Sequence, residues 1–328
     1  MTPLAPNRDM HYVTRHATTT KLDYPLPYQA NLEWLSNQND WVFELTLPDI
    51  PAEHIVVPTL SVIDANEFTY VFSISAPGLK DVSLQHVPAF DKIHREHNGN
   101  NHDVSTHIDC WHTHTSLKAP TIRLCLSTDK APESALVTVS CRPIKGDAER
   151  KPNRGVIIPQ PKAISQMTAA SDIRSRICSP TAVAMCLRAL SPDPPTWLSV
   201  IESCFDPVSR AYGSWPLAVL AANKSNLHAA VEVFEDWDSA TQVLGAGTPM
   251  VCSIDFAKGE LSGAPLNQTG GHLVVLYGLD LTHAWVLDPA APSMDSVPIK
   301  YPLNEFSRAW LRQRGAAYIF SRPCDFDT

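Results

Sequence analysis

The sequence predicts an α+β protein, with an N-terminal antiparallel β-sandwich followed by a domain whose helices precede most of its strands. Three observations carry this. Short runs rich in β-branched and aromatic residues recur from Trp41 to Ile144. Helix-type runs begin only after Cys178. A polar, charged stretch without periodicity, KGDAERKPNRG at 145–155, separates the two textures and reads as a linker. A chain of 328 residues is also longer than one small core requires. The expected division is therefore a β-sandwich accessory domain at 1–150 and a second domain at 151–328.

The first domain is built from WVFELTL, HIVVPTLSVI, FTYVFSI, TIRLCLS and ALVTVSC, each bounded by Pro, Asn, Asp or Gly. The excess of 28 prolines over 13 glycines favours rigid turns and strand ends over flexible loops. In the second domain a helix is expected over Ser179–Leu190, with Pro180 in its first turn, where a proline is tolerated. Further helices are expected at Trp215–Asn223, Ser239–Leu244 and Glu305–Arg312. Strands are expected at PMVCSIDF, GHLVVLYGL, HAWVLDP and AAYIFS. No internal repeat stands out.

An apolar fraction of 44% and a charged fraction of 18% describe an ordinary folded protein. The net charge of -8, with no basic cluster, argues against nucleic acid or an anionic membrane as partner. Met1–Ala30 lacks the apolar core of a secretory signal, and no apolar run approaches the roughly 20 residues that span a bilayer. A cytoplasmic product without an integral membrane segment is expected, with signal-less export left open. Eight cysteines include no C-x-x-C pair, which removes the zinc-ribbon and thioredoxin readings and leaves free thiols. Seven histidines crowd residues 86–114: His86, His94, His97, His102, His107, His112 and His114. WHTHTS would put two of them on one strand face, a geometry able to hold a metal. Their spacing matches no zinc site, and a solvated loop followed by a strand is the better reading. No metal and no cofactor are expected.

Cys178 differs from its companions by position. It opens a helix, where unpaired N–H groups and the helix dipole favour an anion, lower a thiol pKa and supply a nucleophile. By that position alone a buried structural cysteine fits as well. His272 follows Gly270 and Gly271 at the start of a strand, and glycines there permit close backbone approach at a cleft edge. A half-exposed strand histidine is the plainer alternative. Asp288 ends the next strand, before Pro289, where a turn-capping aspartate is also common. If the two strands form a hairpin, their register brings His272 and Asp288 together, and the carboxylate can orient and charge the imidazole. Gln166, twelve residues before Cys178, could donate an amide hydrogen to an oxyanion beside the Cys178 N–H. Trp285 is a candidate shield for the His–Asp pair.

These residues resemble the C39-like cysteine peptidases of the papain-like fold. The likeness lies in ISQ at Gln166, ICSPTAVAM around Cys178, GGHLVVLYG around His272 and VLDPAAPS around Asp288, and it covers about 157–320. It implies a papain-like catalytic domain, hydrolysis of peptide bonds in a peptide or protein substrate, and no cofactor. It assigns Cys178 as nucleophile, His272 as base, Asp288 as orienting residue and Gln166 as oxyanion donor. THIDCWHTHTSLKAPTIRLCLSTD looks like the β-rich extension of some bacterial members, which could bind substrate or a partner. Ser179 stands where many relatives have glycine, and the interval from Gln166 to Cys178 is longer than in papain. The same three residues also serve amidases and acyltransferases, because the triad fixes a thioester and not the acceptor. A catalytically inactive papain-like adaptor is the alternative of another class.

Overall fold

The computed structural model describes residues 11–18, 22–27, 30–37, 40–65, 67–88, 102–107, 109–146, 148 and 151–323. It is a mixed α+β structure in which strands outnumber helices. None of its described helices is long and apolar enough to cross a membrane.

The first half contains β1 (Tyr12–Ala17), β2 (Leu22–Asp23), β3 (Ala30–Asn31), β4 (Leu35–Asn37), β5 (Asp40–Thr46) and β6 (His54–Val62). These are followed by β7 (Thr69–Ala76), β8 (Leu79–Ser83), β9 (Val104–His107), β10 (Cys110–Thr113), β11 (Thr121–Ser127) and β12 (Ala135–Pro143). One sheet has the order β3-β1-β12-β6-β10-β9 and the other β4-β5-β11-β7-β8. Both contribute to one core, with Val56, Leu60, Val137 and Val139 from the first and Phe72, Ile74, Ile122 and Leu124 from the second. In β11, Ile122, Leu124 and Leu126 are buried while the residues between them are more open, as a sheet with one wet face requires. By contrast, β6 is buried at every position, and β12 at all but its last. The outer face of their sheet is covered by the second half of the chain.

That half contains β13 (Val156–Ile157), α1 (Cys178–Leu190), α2 (Trp197–Ser203), α3 (Trp215–Asn223), β14 (His228–Val233), α4 (Trp237–Gly245) and β15 (Met250–Phe256). It continues with β16 (Thr269–Leu279), β17 (His283–Leu287), β18 (Pro298–Pro302), α5 (Leu303–Trp310) and β19 (Ala316–Pro323). The sheet runs β14-β19-β15-β16-β17-β18, with β13 added on β16 and β2 on β19. The pleat of β16 separates two cores. Leu273, Val275 and Tyr277 pack with residues of α1, α2 and α3, while Val274 and Leu276 pack with α4 and α5.

Of the expected elements, Trp215–Asn223 is α3 and TIRLCLS is β11, residue for residue. The expected helix at Glu305–Arg312 starts two residues earlier, at Leu303, and the one at Ser239–Leu244 extends to Trp237 and Gly245. Cys324, His94 and His97 lie outside the described residues.

Candidate active site

α1 is buried almost all round, the property of a helix lodged within a core. Its N-terminal residue is Cys178, and the preceding Ile177 makes no side-chain capping bond. First-turn N–H groups are thus left for another acceptor. The sulfur is placed for that role: the backbone N–H groups of Ser179 and Leu273 and the His272 ring all favour its anionic form. Cys178 is half-buried, so the helix tip meets solvent. The next side chain, Ser179, is anchored by its Oγ, 3.0 Å from the Tyr318 hydroxyl.

His272 comes from β16 and Asp288 follows β17, and the two strands are antiparallel with Val275 opposite Leu287. His272 Nε2 lies 2.8 Å from Asp288 Oδ1, and both side chains are almost fully buried. With Nε2 held by the carboxylate, Nδ1 is the ring nitrogen left for sulfur. Asp288 Oδ1 also accepts the Ala290 N–H at 2.9 Å, and Oδ2 accepts the Tyr301 hydroxyl at 2.7 Å. Tyr301 lies on β18, a strand that the proline-flanked PIKYP does not announce in the sequence.

Burial would raise the Cys178 thiol, but the bond and charge of His272, with the two backbone N–H groups, bring it below its ordinary value. Burial would lower the His272 imidazolium, yet the charge of and bond to Asp288, with those of Cys178, raise it to about 10. Asp288 is held below the usual carboxylate range: burial opposes this, but the charge and bond of His272 and the bonds from Tyr301 and Ala290 outweigh it. Burial pushes the thiols of Cys110, Cys141, Cys186, Cys204 and Cys252 the other way, upward.

Gln166 sits in a 3-10 turn, Gln166–Thr168, that spans both parts of the site. Its backbone N–H donates to the Pro289 carbonyl at 2.9 Å. Its side-chain nitrogen donates to the Arg174 carbonyl at 2.7 Å, in the loop leading to Cys178. The side-chain carbonyl oxygen is buried without a partner among the described residues. Gln166 thus braces the nucleophile loop against the Asp288 loop, with one amide hydrogen uncommitted.

Two expectations need correction. A Cβ at Gly270 or Gly271 would meet nothing within 4 Å, so no close backbone approach within the chain requires glycine there. Trp285 stacks with Lys300, whose Nζ is 3.7 Å from the ring centroid, and donates to Asp280 at 3.3 Å. Tyr301, not Trp285, is bonded to the buried carboxylate. Among the described residues no group of His, Cys, Asp and Glu has the arrangement of a metal site.

The profile of the Peptidase_C39 like family matches residues 160–318, just under half of the chain and all of this geometry. Residues 160–318 thus match the C39-like family. This C39-like region is also similar to a crystal structure from Bacillus anthracis, a protein named only provisionally as a C39-like peptidase. The identity is 20% and the TM-score 0.39, over 51% of this chain and 98% of that one. No curated protein matches.

Proposed function

We propose that the chain is a cysteine peptidase, with a papain-like catalytic unit at 151–328 and an accessory β-sandwich at 1–150. One observation carries the reading. Of six described cysteines with a displaced pKa, only Cys178 is lowered, and what lowers it is chiefly a histidine that is itself bonded to a buried carboxylate. Cys178 and His272 would form a thiolate–imidazolium pair, with Asp288 holding the ring and stabilising its charge. The sulfur attacks the amide carbonyl, and the Cys178 N–H and the uncommitted amide hydrogen of Gln166 receive the oxyanion. His272 gives its proton to the leaving amine, and the product is a thioester acyl-enzyme. His272 then takes a proton from water, which attacks the thioester and releases the acid.

The test is cleavage of a peptide library by the purified chain and by Cys178→Ala. Turnover should be lost in the variant while its circular dichroism and unfolding midpoint stay near those of the parent, because the sulfur lies at a solvent-facing helix tip. Undiminished cleavage by the variant would end the reading. Product analysis with added amines distinguishes hydrolysis from acyl transfer, which the same thioester also permits.

A further inference from the structure

The histidine-rich stretch takes no part in the triad. In the β9–β10 hairpin, Cys110 pairs with His107 and His112 with Ser105. These four side chains therefore share a face, and His114 lies two residues beyond His112. The rings of His107 and His112 stack, with centroids 3.7 Å apart and planes at 26°. Ser105 Oγ is 2.9 Å from His114 Nε2 and 3.3 Å from His107 Nε2, so one hydroxyl links the third ring to the stacked pair. Arg314, in the turn between α5 and β19, comes from the opposite half of the chain, and its charge acts on both His107 and His112.

Three imidazoles are thus gathered on one face, within reach of the Arg314 charge, and protonating them there is unfavourable unless an anion joins them. The neighbouring carboxylates are engaged elsewhere. Asp109 accepts the Trp215 N–H at 2.7 Å and the Ser214 hydroxyl at 3.5 Å. Asp103 accepts the Thr115 hydroxyl at 2.7 Å and lies 3.7 Å from His102. Neither Arg314 nor any of the three histidines has a carboxylate partner among the described residues. A metal ion fits poorly, since a guanidinium repels it and stacked rings do not converge their nitrogens on one point.

We propose that His107, His112, His114 and Arg314 form a binding site for a small oxyanion, phosphate or carboxylate, that bridges the two halves of the chain and uses none of the triad side chains. The guanidinium supplies a planar fork and the imidazoles add charge-assisted donors. Without the anion, burial and then the neighbouring charges of His107, Arg314 and His114 depress His112 to about 4. Burial, Arg314 and His114 lower His107. Cys110, on the same face, is kept neutral by burial. Anion binding therefore takes up protons, and affinity rises as pH falls.

The experiment is a titration of the full chain with inorganic phosphate and, separately, with acetate, followed by the histidine ring C–H resonances. At pH 6 one anion or both should shift the signals of His107, His112 and His114 saturably, and binding should weaken about tenfold or more by pH 8. Arg314 is exposed, so Arg314→Gln should fold normally; it should weaken binding about tenfold, while Arg314→Lys retains most of it. Saturation by phosphate alone or acetate alone assigns the anion. No saturable shift with either, or equal affinity in Arg314→Gln, overturns the site. Cys178→Ala should leave the titration unchanged, which keeps this test independent of the peptidase reading.

Discussion

Cys178 and Cys186 lie two turns apart on α1, yet their sulfurs have opposite tendencies. Cys186 is enclosed by apolar side chains and its thiol is raised. Cys178 meets an imidazole and two backbone N–H groups. A limiting amount of iodoacetamide at neutral pH should therefore alkylate Cys178 ahead of every other cysteine, as peptide mapping would read. The pH profile follows from the same contacts. Activity should rise as Cys178 loses its proton, at a pH below the ordinary thiol range, and fall only as His272 loses its own, near 10. In Asp288→Asn the imidazolium loses its largest support, so the alkaline limb of kcat/KM should move down by more than one pH unit. An unmoved limb would exclude His272 as the titrating group. The three side chains could be read from sequence because Cys178 opens α1, Asp288 directly follows β17, and His272 heads the apolar run of β16. Tyr301 could not. Its strand is short and bounded by prolines, and nothing local marks a hydroxyl that will meet a carboxylate thirteen residues away.

At the level of elements, the hairpin of β16 and β17 makes the His–Asp contact, and its register depends on how β16 is flanked. Gly278 lies at the irregularity in that register, where β13 pairs with the strand and Ile157 stands opposite it. A Cβ there would lie 3.0 Å from Ile157 Cα, Cγ1 and Cγ2. Backbone cannot yield as a side-chain tip can. Gly278→Ala should therefore lower stability by about 1–2 kcal/mol in urea unfolding, through a loosened β13. A neutral result would mean that β13 shifts freely. The hairpin was legible because GHLVVLYGL and HAWVLDP are apolar and separated by a short polar turn. α2 and β14 were not. WLSVIES is only two turns long, and HAAVEV owes its extended form to pairing with β19 rather than to strong strand formers.

Over the whole molecule, the decisive feature is how the edge of the second sheet is closed. β14 ends that sheet, and its outward N–H groups would be left open. Side chains of the first half satisfy them: the N–H of Ala229 donates to Ser61, that of Val231 to Thr59 and that of Val233 to Ser140, at 3.1–3.2 Å. This explains Thr59 and Ser61 inside β6 and Ser140 inside β12, which look out of place in the sequence. The same seam holds Arg15 against Glu232 at 2.6 Å. Arg142 is inserted there too, donating to the carbonyls of Phe234 and Leu311. Each contact joins residues far apart along the chain, so no local pattern could reveal it. A fragment comprising 151–328 should therefore lack cooperative unfolding, although it carries every triad residue, because the exposed β14 edge and the unpaired Glu232 would remain. His228 gives the intact seam a pH signature. Its Nδ1 is 2.9 Å from Ser61 Oγ and its Nε2 3.0 Å from Ser134 Oγ, and burial lowers its pKa to about 4. The unfolded chain would protonate this ring near 6.5 and so bind more protons over the interval between. The contribution is therefore present above about 6.5 and is lost as pH falls toward 4. Comparing urea midpoints of the parent and His228→Gln at pH 7.5 and pH 5 isolates it. The parent should lose stability on acidification, and the variant should lose less by up to about 2 kcal/mol. Equal losses would mean that the seam opens before His228 titrates.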